Sequence, residues 1–183
     1  MDHGIRPIQT IQELDMQGYG AKEMAESWRT VRKNTVQIAE DIPADQYGFQ
    51  ATPDTMSVMQ MLAHIATYTH WAEQLHFVEK KADVTGADFG RYMGAAATMA
   101  SELTTKDAIV DALITRGEGF ALQLESMSDD QLNETVSTPG AGKSRLELLL
   151  GIKEHEMHHR AQLMIIERML GIVPHLTRAR QNR

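Results

Sequence analysis

Residues 144–171 read SRLELLLGIKEHEMHHRAQLMIIERMLG, and this stretch decides the fold. Ser144-Arg145-Leu146-Glu147 has the form of a capping box, in which serine and glutamate side chains satisfy free amides of a helix's first turn. A long apolar-periodic run follows it directly, and Gly171 with Pro174 beyond supplies the usual stop, so the pattern predicts a helix to Leu170. At about 100° per residue, His159 lies only about 40° around that helix from His155. Leu148, Ile152, Gln162 and Ile166 share their side, whereas Lys153, Glu154, Arg160 and Arg168 lie away from it. The two imidazoles therefore face the expected core. His158 is turned roughly 60° from His155 and about 100° from His159, which makes it the poorer partner for a shared ion.

Three further helices are legible upstream. Met24, Trp28, Val31, Thr35 and Ile38 recur at steps of three and four between Ala21 and Glu40, with Arg29, Arg32 and Lys33 placed on the opposite face. Ile42-Pro43-Ala44-Asp45 breaks the pattern, and irregular chain is expected through Pro53. Ser57-Val58-Met59-Gln60 is a weaker capping box that opens a helix to about Lys80. The third runs from Thr104 or Thr105 to about Met127 and carries Ile109, Leu113, Phe120 and Leu124; Gly117 and Gly119 weaken it without stopping it. Between these, Gly86, Gly90 and Gly94 interrupt Lys81 to Thr104, where a short helix is expected near Ala95 to Ser101. Thr138-Pro139-Gly140-Ala141-Gly142 reads as loop. The expectation is an all-α fold, a four-helix bundle with long connections and a short additional helix. Residues 1–20 form an N-terminal arm, 21–174 the bundle and 175–183 a basic C-terminal tail.

Bulk properties narrow the function. The 183 residues suit one domain with a real core, and a hydrophobic share of 42% with 23% charged residues argues against wholesale disorder. The formal net charge of −7 sets an unfavourable field for nucleic acid; Arg178, Arg180 and Arg183 make a small basic cluster of the kind that is usually a solvated terminus. The absence of cysteine excludes disulfides, thiolate ligands and a cysteine nucleophile, so any metal must be held by His, Asp or Glu. No stretch approaches the roughly 18 apolar residues of a membrane span, and the N-terminus lacks a signal-like apolar run. A cytoplasmic protein is expected, with a small-molecule or thiol partner, no nucleic acid and no membrane; a homodimer is compatible with this.

A third ligand for the pair must come from an apolar helix face, and His64 in Met61-Leu62-Ala63-His64-Ile65-Ala66 is the strongest candidate. Met61, Tyr68, Trp71 and Leu75 share its side, while His70 and His76 fall about 120° away in opposite senses and are expected at the surface or boundary. Three neutral imidazoles with an open fourth position form a catalytic or exchangeable site rather than a closed structural one. Zinc suits the set best; nickel, iron, cobalt and copper also accept imidazole. The alternative is that the histidines bond to each other, to Gln162 or to water as core polar residues.

His155-Glu156-Met157-His158-His159 also matches H-E-x-x-H, in which the glutamate activates a metal-bound water in zinc peptidases. The extended form fails, because Gln162 stands where its glycine belongs and Ile165 where its third histidine belongs. The chain instead resembles the DinB-like family of helical metalloproteins over roughly Ala21 to Pro174. The resemblance is carried by Ser57-Val58, Leu62-Ala63-His64-Ile65, the run from His155 to Leu163, and Leu170-Gly171-Ile172-Val173-Pro174. It implies a divalent metal on His64, His155 and His159, the three residues that spacing had selected. Some relatives are thiol transferases using bacillithiol, mycothiol or glutathione, and others isomerise maleylpyruvate with a thiol cofactor.

The resemblance thus implies a metal-dependent enzyme that activates a water or a low-molecular-weight thiol, with catalytic residues of the chain itself unassigned. A non-catalytic metal-binding or structural bundle, and a metal-dependent hydrolase, stand as the alternatives. Tyr68, Trp71 and Gln162 share the ligand-bearing faces and are the candidates for orienting a substrate, although packing is the commoner fate of the first two. Arg160 is the candidate for meeting an anionic cosubstrate at the rim, against the plainer fate of a solvated outer-face arginine.

Overall fold

The computed structural model describes residues 18–181. Most of the N-terminal arm, and Arg183 of the basic cluster, lie outside them. The all-α expectation holds. The long helices are α1 (Ala21–Asp41), α2 (Val58–Tyr68), which runs on through α3 (His70–Ala72) into a π-helical stretch Glu73–Val78, α4 (Gly86–Glu102), α5 (Lys106–Glu125) and, after the short α6 (Asp129–Asn133), α7 (Arg145–Met169). A two-stranded antiparallel hairpin, β1 (Thr135–Thr138) and β2 (Ala141–Ser144), leads into α7. Its turn sits on Pro139-Gly140, where Gly140 adopts a φ of 111° that a side chain would strain. No helix among the described residues is long and apolar enough to cross a membrane.

Local chemistry sets the boundaries. Ser57 and Gln60 form a complete capping box: the Gln60 amide donates to Ser57 Oγ at 3.2 Å and the Ser57 amide to Gln60 Oε1 at 2.9 Å. At α7 only half of the expected box forms. The Glu147 amide donates to Ser144 Oγ at 3.1 Å, but the Glu147 carboxylate pairs with Lys143 at 2.9 Å instead of reaching back. Either cap contributes about 1 kcal/mol. Gly171, at φ 78°, ends α7, and the Ile172 amide closes the turn onto the Glu167 carbonyl at 2.8 Å.

The additional helix is longer than the glycines suggested, covering Gly86–Glu102 rather than Ala95 to Ser101. A Thr85–Asp88 capping box starts it, Tyr92 and Ala96 are its buried residues, and Gly86, Gly90 and Gly94 lie where a Cβ would meet nothing. The glycines are tolerated because they occupy its open side. From residue 175 the chain forms α8 (His175–Gln181) and is bonded back to α1: Arg178 pairs with Asp41 at 2.5 Å, and His175 Nε2 meets Asn34 Oδ1 at 3.0 Å.

The apolar core falls into two clusters along the bundle. One gathers Met24, Trp28, Trp71, Leu75, Phe120, Leu149 and Ile152; the other gathers Ile38, Leu62, Ile65, Ile109, Leu113, Leu163 and Ile166. Polar residues form a layer on three of these helices: Arg32 and Thr35 on α1 and His155, Glu156 and His159 on α7 lie between the two clusters in sequence, and His64 on α2 stands beside Leu62 and Ile65 of the second.

Arg32 corrects the outer-face assignment. It is 4% exposed, and its guanidinium donates to Glu156 at 2.8 and 3.1 Å, to the Leu113 carbonyl at 3.0 Å and to the Ile65 carbonyl at 3.4 Å. α5 makes room for it at Gly117, where a Cβ would lie 2.6 Å from Arg32 Cγ. The glycine that weakens α5 in isolation is what lets α1 and α5 close over a buried arginine.

Candidate metal centre

His64 from α2 and the His155–His159 pair from α7 meet in this layer. One nitrogen of each lies within 4.8 Å of the others, and among the described residues this is the one cluster with metal-ligand spacing. Ring centroids are 5.0 Å apart for His64–His155 and His64–His159, and 4.5 Å for His155–His159. His159 is buried; the other two are half-buried.

The donor set fits a divalent ion by two observations. His64 Nε2 and His155 Nε2 stand 2.8 Å apart, against about 3.3 Å for two nitrogens held at about 2.05 Å on a tetrahedral ion, so an opening of about half an ångström suffices. His159 Nδ1–H donates to Gln162 Oε1 at 2.8 Å, which fixes the tautomer and leaves Nε2 free for a metal. The Gln162 amide nitrogen in turn donates to His158 Nε2 at 3.2 Å. His158 is exposed and stays outside the cluster as expected, but it anchors the glutamine that orients His159.

Burial holds the cluster ready for a cation. Desolvation first, then the neighbouring imidazoles, pushes His155 down to about 4. Desolvation lowers His64 and His159 as well. At neutral pH all three are uncharged, the state that coordinates.

Tyr68 stacks on the His155 ring at 3.5 Å and 12° and meets the His64 ring edge-on at 5.3 Å. It packs and steadies two of the imidazoles. Trp71 lies one ring further out, 6.2 Å from Tyr68, and belongs to the first core cluster. Of the three candidate orienting residues, Gln162 lines a cavity of about 410 Å³ that also reaches His159. Arg160 is partly buried and is not among that cavity's lining residues.

Glu156 is 2% exposed; it accepts from Arg32 and, at 2.7 Å, from the Thr35 hydroxyl. The glutamate of the H-E-x-x-H pattern is thus committed to the bundle's interior ion pair.

His76 corrects the surface assignment, being 5% exposed. Arg145 donates to its Nδ1 at 3.0 Å, and desolvation followed by the Arg145 charge pushes it down to about 3. It is not part of the cluster, and neither is His70, which is half-buried and 3.9 Å from Glu73. Sequence reasoning missed Arg32 and the cavity wall from the loop after Phe49; the signal for Arg32 was its position about 40° around α1 from Trp28, on the core side.

A helical bundle with three convergent histidines in its polar layer defines the class. The DinB family model matches residues 15–183, and the chain belongs to the DinB family. A DinB-like protein from Bacillus subtilis shares the fold, with 21% sequence identity, a TM-score of 0.55, and coverage of 81% of this chain and 92% of that one. No curated protein matches.

Proposed function

We propose that the chain binds one divalent metal ion through His64, His155 and His159 and uses it to activate a water or a low-molecular-weight thiol, as a metal-dependent enzyme of the thiol-transferase type. The observation that supports this is the convergence of three uncharged imidazoles, one of which, His159, lines a cavity large enough for a small molecule. Zinc is the best match to an all-imidazole donor set. When bound, such an ion lowers the pKa of a water or thiol that reaches its open position.

The chain's own residues hold and orient. Gln162 sets the His159 tautomer, Tyr68 clamps the His155 and His64 rings, and the apolar walls of the cavity offer a surface for the apolar part of a substrate. Glu156 cannot serve as the base of a peptidase without dismantling its pair with Arg32, which separates this reading from the H-E-x-x-H one.

Elemental analysis of untagged protein tests it. Close to one ion per chain is expected, lost on His64→Ala, His155→Ala or His159→Ala and retained on His158→Ala or His70→Ala. A metal-free protein after gentle purification and zinc supplementation, or loss caused by His158→Ala instead, overturns the assignment. Metal-loaded protein that accelerates no thiol addition across a broad set of electrophiles moves the function to metal binding without catalysis.

A further inference from the structure

The cavity beside the triad has a definite chemistry. α7 contributes His159, Gln162, Ile165 and Ile166; α2 contributes Met61, and the loop before α2 contributes Asp54 and Met56. That loop is firmly built: the Thr55 hydroxyl donates to the Thr52 carbonyl at 2.8 Å, and Gln50 donates to the Thr55 carbonyl at 2.7 Å. Among the described residues, Asp54 is the ionisable residue on the wall besides His159, and no lysine or arginine lines it. The Asp54 carboxylate accepts the Thr52 hydroxyl at 2.6 Å. That hydrogen bond, foremost, holds its pKa below the usual carboxylate range.

We propose that this cavity is the substrate arm of the metal site and takes a compact, largely apolar molecule that carries one donor atom for the ion and no further negative charge. The inference rests on the metal reading above and adds the substrate class. A methionine- and isoleucine-lined wall gains from each apolar area it covers, at about 25 cal/mol per Å². An anionic tail would leave water for a wall on which no described residue is a cation and would face Asp54. Sites that select carboxylates or phosphates place arginine or lysine there. Specificity here comes from that repulsive element as much as from the apolar contact, and thiols with several carboxylates, such as glutathione, are selected against.

The test uses full-length zinc-loaded protein and three probes of one shape: phenylmethanethiol, its para-aminomethyl analogue and its para-carboxylate analogue. Calorimetric titration at pH 7.5 is expected to give the neutral and cationic probes similar affinity and the carboxylate at least tenfold less. Asp54→Asn should narrow that gap several-fold. Ile165→Glu, at a position 61% exposed, should weaken the neutral probe while zinc stays at one per chain. Equal binding of all three probes, or no response to Ile165→Glu, overturns the inference and leaves the metal reading standing. Protein that holds no zinc in parallel analysis overturns both.

Discussion

Arg32 of α1 and Glu156 of α7 form an ion pair at 2.8 Å with both side chains at most 5% exposed, one residue along from His155. The pair crosses the bundle at the level of the histidines and shares its carboxylate with Thr35. Removing one member strands a buried charge, which costs about 3–5 kcal/mol, whereas replacing both by apolar residues of like volume is often neutral. Arg32→Ala is therefore expected to lower stability by that amount, and Arg32→Met with Glu156→Leu to recover most of it. Denaturant melts of the single and double variants check this. The folded double variant should retain its metal, because neither residue belongs to the triad; metal loss there would make the pair part of the site.

Gln162 has the opposite profile. Its loss should barely affect folding but should free the His159 ring. Orienting partners of metal-bound histidines are worth about 10- to 100-fold in affinity, so Gln162→Leu is expected to weaken zinc by that factor at unchanged stoichiometry. Gln162→Glu, which keeps an acceptor for His159 Nδ1–H, should restore most of it. Competition with a chromophoric chelator reads both, and equal losses for Leu and Glu would assign Gln162 a packing role alone.

How much was legible beforehand follows from where each signal resides. His155 and His159 share one helix, so a spacing rule finds them, and His64 is an isolated polar residue in an apolar run. Arg32 lies about 40° around α1 from Trp28, on the core side, but what makes its burial tolerable is a carboxylate 124 positions away and Gly117 of a third helix. His76 was misplaced for the same reason, since Arg145, its partner, comes from another helix. The length of α4 was hidden by glycines that read as breakers while sitting on an open face. One side of the cavity comes from a loop whose shape rests on hydrogen bonds among Gln50, Thr52 and Thr55 that no periodicity encodes.

Glu167 offers a test independent of the metal. It is fully buried, and neither carboxylate oxygen has a hydrogen-bond partner among the described residues. Desolvation, then the Asp41 charge, pushes it up to about 7. A carboxyl whose folded pKa is raised stabilises in its protonated form, so its contribution is complete below the unfolded value and is lost as pH rises through about 7. Glu167→Gln should raise the unfolding free energy more at pH 8 than at pH 5, the difference being on the order of 2 kcal/mol. A gain independent of pH would mean that the carboxylate finds a partner at high pH.

The last expectation concerns protons and metal at the triad. Imidazoles at their ordinary pKa of about 6.5 would lose metal between roughly pH 6.5 and 5. Here the folded values are lower, His155 being held near 4 by desolvation and its neighbouring rings, with His64 and His159 also lowered. Protons thus compete later, and zinc affinity should stay nearly level to about pH 6 and fall toward pH 4. The apoprotein follows the same sign. A histidine depressed on folding contributes stability in full above the unfolded value, and that contribution is lost as pH falls through the folded one; for His155 the window runs from about 6.5 to about 4. Zinc at a hundredfold its Kd adds about 2.7 kcal/mol, a rise of about 5–10 °C for a chain of this size. Melts of chelator-free apoprotein with and without zinc at pH 7.5, 6 and 4.5 measure the increment directly. It should be similar at the first two and much smaller at the third, with the apoprotein folded at pH 7.5 because its two core clusters and its interior ion pair do not depend on the metal. An increment already gone at pH 6 would mean that the rings are hydrated in solution, and an apoprotein unfolded at pH 7.5 would make the ion a structural lock.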